Sequence, residues 1–257
     1  MYFWLKFVLY CKVDGVPENL RVMVISAVEN TNELLVERRF RDFNETLMVD
    51  WARNMLDSGY YAESLIILAG LKNASKDETE KYFLRSIEEL SLKVPVDQDK
   101  QLMEYANELT RKVLNGEIPQ SVGFQIMLNV ARVSNKDFRY QGFSEIEDDL
   151  KTLSTSGKTN REGLRLDNTH AHIHEEFKLF SVMEMLEIPI TLRKQSYCMV
   201  CGQLTIPFEK KKYQIRRPFY YYVSSCENCK SERLKSASQH FVKKKIIDHY
   251  ASLLNSK

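Results

Sequence analysis

The spacing of apolar positions changes near residue 44. Before it, apolar residues come in short aromatic and β-branched runs: "FWLKFVLYCKV", "LRVMVISAV" and "ELLVERRF", separated by "DGVPEN" and "TN". Runs of this kind between turn residues predict a short N-terminal β-meander over residues 2 to about 40. "ELLVERRF" is equally able to open the helix that follows.

From Asn44 onward the period is helical. "ETLMVDWARNMLDSG" places Leu47, Trp51, Met55 and Leu56 on one face, with Gly59 suited to a C-cap. "AESLIILAGL" reads as a short, almost wholly apolar helix, expected to be buried. "SKDETEKYFLRSIEEL" opens with Ser75 and Glu78 at capping-box spacing and carries Tyr82, Phe83, Ile87 and Leu90. The next helix carries Leu102, Tyr105, Leu109 and Val113 and stops at Gly116; Pro119 suits the first turn of "PQSVGFQIMLNVARVSN". Short helices with short connections predict an antiparallel helical body. No strict period recurs, so a regular solenoid is not expected.

"STSGKTNREG" is polar and Gly-containing and reads as a linker. A helix over "NTHAHIHEEFKLFSVMEMLEIP" is expected to end near Pro189. The chain closes on "SERLKSASQHFVKKKIIDHYASLL", predicted as a basic amphipathic helix with Leu234, Ala237, Phe241, Tyr250 and Leu254 along one stripe and a Lys243–Lys245 cluster. The expected fold is therefore mainly α with some β. Residues 1–43 form a β element, 44–153 a helical body, 154–163 a linker, and 164–257 a helix, a cysteine-bearing hairpin and the basic helix.

Composition changes this picture in two places. The apolar start "MYFWLKFVLYC" is too short for a spanning helix, which needs about 20 residues, and it lacks the flanks of a signal peptide. A buried strand containing Cys11 in a cytoplasmic protein, with no membrane partner, is the expectation. Net charge is +2, but from Leu186 onward there are 14 Lys and Arg against 5 Asp and Glu, and before it 23 against 30. A basic C-terminal part of this kind attracts phosphates or an acidic protein surface, or serves as a solvated face.

The densest chemistry lies in "YCMVCGQ" and "SCENCKS". Cys198 and Cys201 are followed by Cys226 and Cys229 in a C-x2-C-x24-C-x2-C pattern. Two thiolates from each tight turn complete a tetrahedron around Zn2+. A redox pair and an iron–sulfur cluster are the other occupants such cysteines admit. "QLTIPF" and "FYYYV" are expected to pair as strands, joined by "EKKKYQIRRP". Over residues 197–230 the region resembles the zinc-ribbon family. The resemblance implies a small metal-held β unit of the kind found in nucleic-acid-binding and protein-docking modules, and it does not imply catalysis. A site closed by four cysteines leaves no position for an activated water.

Lys210, Lys211, Lys212, Arg216 and Arg217 crowd the hairpin, interleaved with Tyr213, Tyr220 and Tyr222. Cations neutralise phosphates and exposed aromatic rings stack on bases, so these residues are candidates for binding nucleic acid. Packing of the aromatics beneath the ribbon, with lysines decorating a loop, is the plainer alternative.

Other motifs carry less. His170, His172 and His174 alternate beside Glu175 and Glu176, which suits a second metal only if further ligands join them. "SGKT" imitates a phosphate-binding loop, but Thr152 stands where that loop needs Gly. No His lies between Cys201 and Cys226, against a nuclease of the His-Asn-His class. No catalytic residue is assigned. Trp51, Ala52, Leu56, Gly59, Ser64, Leu65 and "LAGL" give residues 44–150 a resemblance to small helical modules in uncharacterised bacterial proteins, some of them encoded near toxin–immunity or defence systems. The alternative function is then a protein partner for the acidic helical body, with zinc purely structural; Tyr60 and Tyr61 of "SGYYAES" either contact that partner or staple the two helices they join.

Overall fold

The computed structural model describes residues 30–72, 75–159 and 161–255. Two compact units emerge, Met1–Gln101 and Leu102–Lys257. The strand expectation for residues 2–29, Cys11 included, lies outside the described residues. Where the expected meander reaches described chain, "ELLVERRF" is not a strand: residues 30–37 are helical (α1). Leu34 and Leu35 join the unit's core while Arg38 pairs with Glu80. Three-to-four-residue spacing of core contacts has overridden a locally strand-like composition.

The first unit continues through α2 (Thr46–Asp57), α3 (Glu63–Gly70) and α4 (Lys76–Glu89). Trp51 and Phe83 meet edge to face at 4.9 Å, and the Trp51 indole N–H donates to Thr31 Oγ1 at 3.1 Å. The buried face of α2 is Met48, Trp51, Ala52 and Met55, one position round from the predicted stripe, leaving Leu47 exposed. Helix α4 starts where expected, with Ser75 Oγ accepting from the Glu78 N–H at 3.3 Å. Helix α3 is half buried, not wholly: Leu65 and Leu68 are enclosed, but Ile66 is 56% and Ile67 37% exposed. Its N-cap residue, Ala62, has no side-chain acceptor. Glu89, from the end of α4, takes that role by accepting from the Ser64 N–H at 2.9 Å and its hydroxyl at 2.6 Å.

Helix α5 (Gln98–Leu114) contains the boundary between the units, and α6 (Gln120–Val133), α7 (Gln141–Ser156) and α8 (Thr169–Met185) follow. Leu102, Tyr105, Leu109 and Val113 of α5 are all buried, as their spacing predicts. Phe143 of α7 packs against Phe177 and Phe180 of α8 at 4.9 and 5.9 Å and against Phe124 of α6 at 6.4 Å. Fully burying each such ring contributes about 1.5–3 kcal/mol. Gly123 lets α6 approach Val113 so closely that any Cβ there would overlap its methyl group.

After α8 the chain turns at Glu187 and Pro189 into the single turn α9 (Ile190–Arg193). Arg193 is buried and closes the end of α8: it donates to the Met183 and Ile188 carbonyls at 2.8 and 2.7 Å and pairs with Glu184. The cysteine region comes next. Strand β1 (Ser196–Cys198) is the centre of a three-stranded antiparallel sheet, between β2 (Leu204–Thr205) and β5 (Leu234–Lys235). Strands β3 (Phe208–Tyr213) and β4 (Tyr220–Ser225) form a separate hairpin.

This differs from the expected strand pairing. Leu204 and Thr205 pair with β1, and β4 pairs with Phe208–Tyr213, so the strand takes in the "EKKKY" expected in the connection and of "QLTIPF" only Phe208. Pro207 lacks the N–H a continuous ladder needs, so "QLTIPF" divides at it. The closing helix, α10 (His240–Asn255), is also shorter than predicted, because Leu234 and Lys235 are drawn into the sheet. Its inner face is Val242, Lys243 and Ile246, while Phe241 lies at the surface edge-on to Tyr197. Val242 and Ile246 pack with Met183, Ile188, Tyr197 and Leu204, which fixes the small sheet to the helices of its own unit.

Candidate metal centre and basic hairpin

Each cysteine pair sits on a turn built the same way. The Cys198 carbonyl accepts from the Gly202 N–H and the Cys226 carbonyl from the Lys230 N–H, both at 2.9 Å. The Cys198 N–H donates to the Gln203 carbonyl at 3.0 Å, and the Cys226 N–H to the Ser231 carbonyl at 2.8 Å. Gly202 and Lys230 close their turns in the left-handed region, at φ of 71° and 61°. Asn228 ties the turns together by donating to Gln203 Oε1 at 2.7 Å.

The two turns bring all four Sγ atoms within 4.8 Å of one another. Across the turns, Cys198 and Cys229 are 3.5 Å apart and Cys201 and Cys226 3.7 Å. A disulfide would need about 2.05 Å. Four sulfurs at about 2.3 Å from one zinc ion sit about 3.8 Å from each other, so the spacing and the donor type both fit a tetrahedral ion such as zinc.

Electrostatics agree. The Cys201 and Val200 backbone N–H groups point at Cys198 and, opposed by burial, bring its thiol down to about 6. The Cys229 N–H does the same at Cys226, which is also lowered. At Cys201 the Gln203 N–H favours the thiolate, but burial and the three neighbouring sulfurs outweigh it and push the thiol up to about 12. Four thiolates cannot share so small a volume without a cation, and the bound ion is what would ionise them all.

The hairpin rises directly from this cluster, since Ser225 ends β4 and Cys226 follows it. Its register pairs Lys210 with Val223, Lys211 with Tyr222, Lys212 with Tyr221 and Tyr213 with Tyr220. Residues opposite each other share a face. Lys211, Tyr213, Tyr220 and Tyr222 therefore occupy one face, and all are exposed, Tyr213 to 77% and Tyr222 to 57%. Lys211 Nζ lies 3.9 Å from the Tyr220 ring centre and 5.2 Å from that of Tyr213. Phe208, Lys210, Lys212 and Tyr221 lie on the other face. There Lys212 is paired with Glu232 at 2.7 Å, and Phe208 lies beneath Lys230. Arg216 and Arg217 are exposed at the tip between the strands.

The histidines go elsewhere. Among the described residues, the four cysteines are the one group whose ligand atoms converge on a metal-sized space. His172 stacks on His240 at 5.3 Å, and burial lowers its pKa. His240 Nε2 meets Glu176 Oε2 at 3.1 Å, and Lys243 takes the other oxygen. Lys244 pairs with Glu175. The Lys243–Lys245 cluster is thus largely spent on helix α8. Sequence reasoning missed Glu176 as the anchor because nothing local distinguishes it from Glu175. Thr159 of "SGKT" donates to Asp149 at 2.9 Å, beside a buried Arg161 that donates to the same carboxylate at 3.1 Å. In the first unit Tyr60 packs against the core and Tyr61 is 75% exposed.

The chain matches no model of a known family, no curated protein and no solved structure. Among the described residues, no helix is long and apolar enough to cross a membrane.

Proposed function

We propose that Cys198, Cys201, Cys226 and Cys229 hold a structural zinc ion, and that the hairpin rooted in this site binds nucleic acid without catalysing a reaction. The observation that carries the reading is the shared exposed face of Lys211, Tyr213, Tyr220 and Tyr222, set beside Arg216 and Arg217 and growing out of the four-thiol cluster. Cations there neutralise phosphates and the rings take up bases. The zinc has no open coordination position, so its part is to hold the root of the hairpin.

The test is metal analysis of the purified chain together with nucleic-acid binding before and after changing Lys211, Arg216 and Arg217 to Ala. One zinc per chain in both proteins is expected, with binding lost only in the variant. Unchanged binding by the variant would falsify the hairpin assignment. A chain with one zinc and no affinity for nucleic acid would favour the other reading, a protein partner for the helical body, for which exposed Tyr61 and Ile66 are the contact candidates.

A further inference from the structure

The two faces of the β3–β4 hairpin are not equivalent, and the difference bears on the kind of nucleic acid it would take. One face is engaged by its own unit through the Lys212–Glu232 ion pair and the Phe208–Lys230 contact. The opposite face presents Tyr213, Tyr220 and Tyr222 around Lys211, with the exposed Glu209 at its root, and the described residues show no pairing of Lys211 beyond the tyrosine rings. Tyr220 and Tyr222 stand 6.0 Å apart along β4, with ring planes at 82°. Bases stacked in a duplex follow each other at about 3.4 Å along each strand and offer no free faces to a side chain. A strand can serve both tyrosines only if its bases are unpaired and spread apart.

Resting on the proposed function, we infer that the ligand is single-stranded nucleic acid, laid along the Lys211 face. Its bases stack on Tyr220, Tyr222 and Tyr213, and its phosphates are met by Lys211, Arg216 and Arg217. Lys212, although it is the next residue and carries the same charge, is a positioning residue for the hairpin and touches no ligand.

Fluorescence anisotropy on the full chain tests this. The probes are a labelled oligo-dT of about 12 nucleotides, within the range that small β folds cover, and the same strand annealed to oligo-dA. The single strand is expected to bind about tenfold or more tightly than the duplex. Tyr220→Ala with Tyr222→Ala should cost about tenfold or more on the single strand, while the paired Tyr→Phe changes leave it within about twofold, because the ring carries the interaction. Lys211→Ala should weaken binding several-fold and Lys212→Ala should not. Zinc content is read on every variant, so that loss of the fold is distinguished from loss of contact. Equal or tighter binding of the duplex would overturn the strand assignment alone. Equal losses from Lys211→Ala and Lys212→Ala would overturn the assignment of the Lys211 face. No binding of either probe overturns the proposed function and this inference with it.

Discussion

A carboxylate sealed from water persists as an anion only where a cation and hydrogen-bond donors meet its oxygens. Glu176 is fully enclosed between α7, α8 and α10, with Lys243 on one oxygen and His240 on the other. Burial by itself would raise its pKa, but Lys243 and His240 together bring it down to about 2. The folded value lies below the ordinary 4.5, so the stabilisation is complete above about pH 4.5 and is lost as pH falls toward 2. Glu176→Gln is expected to cost about 3–5 kcal/mol at neutral pH, because it strands Lys243. Urea midpoints of wild type and variant should converge as pH drops through that window. Equal midpoints at pH 7 would mean the cluster contributes nothing. Gly142 belongs to the same arrangement, since a Cβ there would overlap the Glu176 carboxylate and the Lys243 ammonium.

At the scale of elements, the two cysteine turns repeat one backbone plan, and their ends need the left-handed conformation. At Gly202 the nearest atom to an added Cβ is the Tyr197 hydroxyl at 3.5 Å, an ordinary contact. The cost of Gly202→Ala is therefore conformational, about 1–2 kcal/mol. The variant is expected to surrender zinc to a chelator faster than wild type while still binding one ion per chain. Unchanged release would show that the turn tolerates a side chain. Helix α3 makes the complementary point: its position was legible in "AESLIILAGL", but its cap comes from Glu89, distant in sequence, and only folding supplies it. The same holds for β3, whose lysines look like a loop until Tyr220–Ser225 supplies a partner strand.

For the molecule as a whole, the four-cysteine cluster proposed to hold zinc lies entirely within Leu102–Lys257. Chelation at neutral pH is expected to remove hydrogen-exchange protection from residues 196–235, because the three-stranded sheet is too small to persist without the ion. Protection of α2 and α4, whose core is built from Trp51, Leu65, Leu68 and Phe83, should stay as it was. A matching loss of protection in α2 and α4 would contradict this division.

The sequence by itself determined the features that depend on near neighbours. The C-x2-C spacing, the Ser75 cap and the apolar stripe of α5 each act over one turn of chain, where steric and hydrogen-bonding rules leave few choices. Tertiary structure decided whatever depends on which surface arrives opposite. It made residues 30–37 a helix, uncovered Ile66, paired Leu204 and Thr205 with β1, and buried Lys243 against Glu176 while leaving Lys211 among exposed tyrosines. Three lysines in a row are alike to a sequence reader. On a strand their side chains alternate between faces, and only the partner across each face tells a solvated lysine from one held in an ion pair.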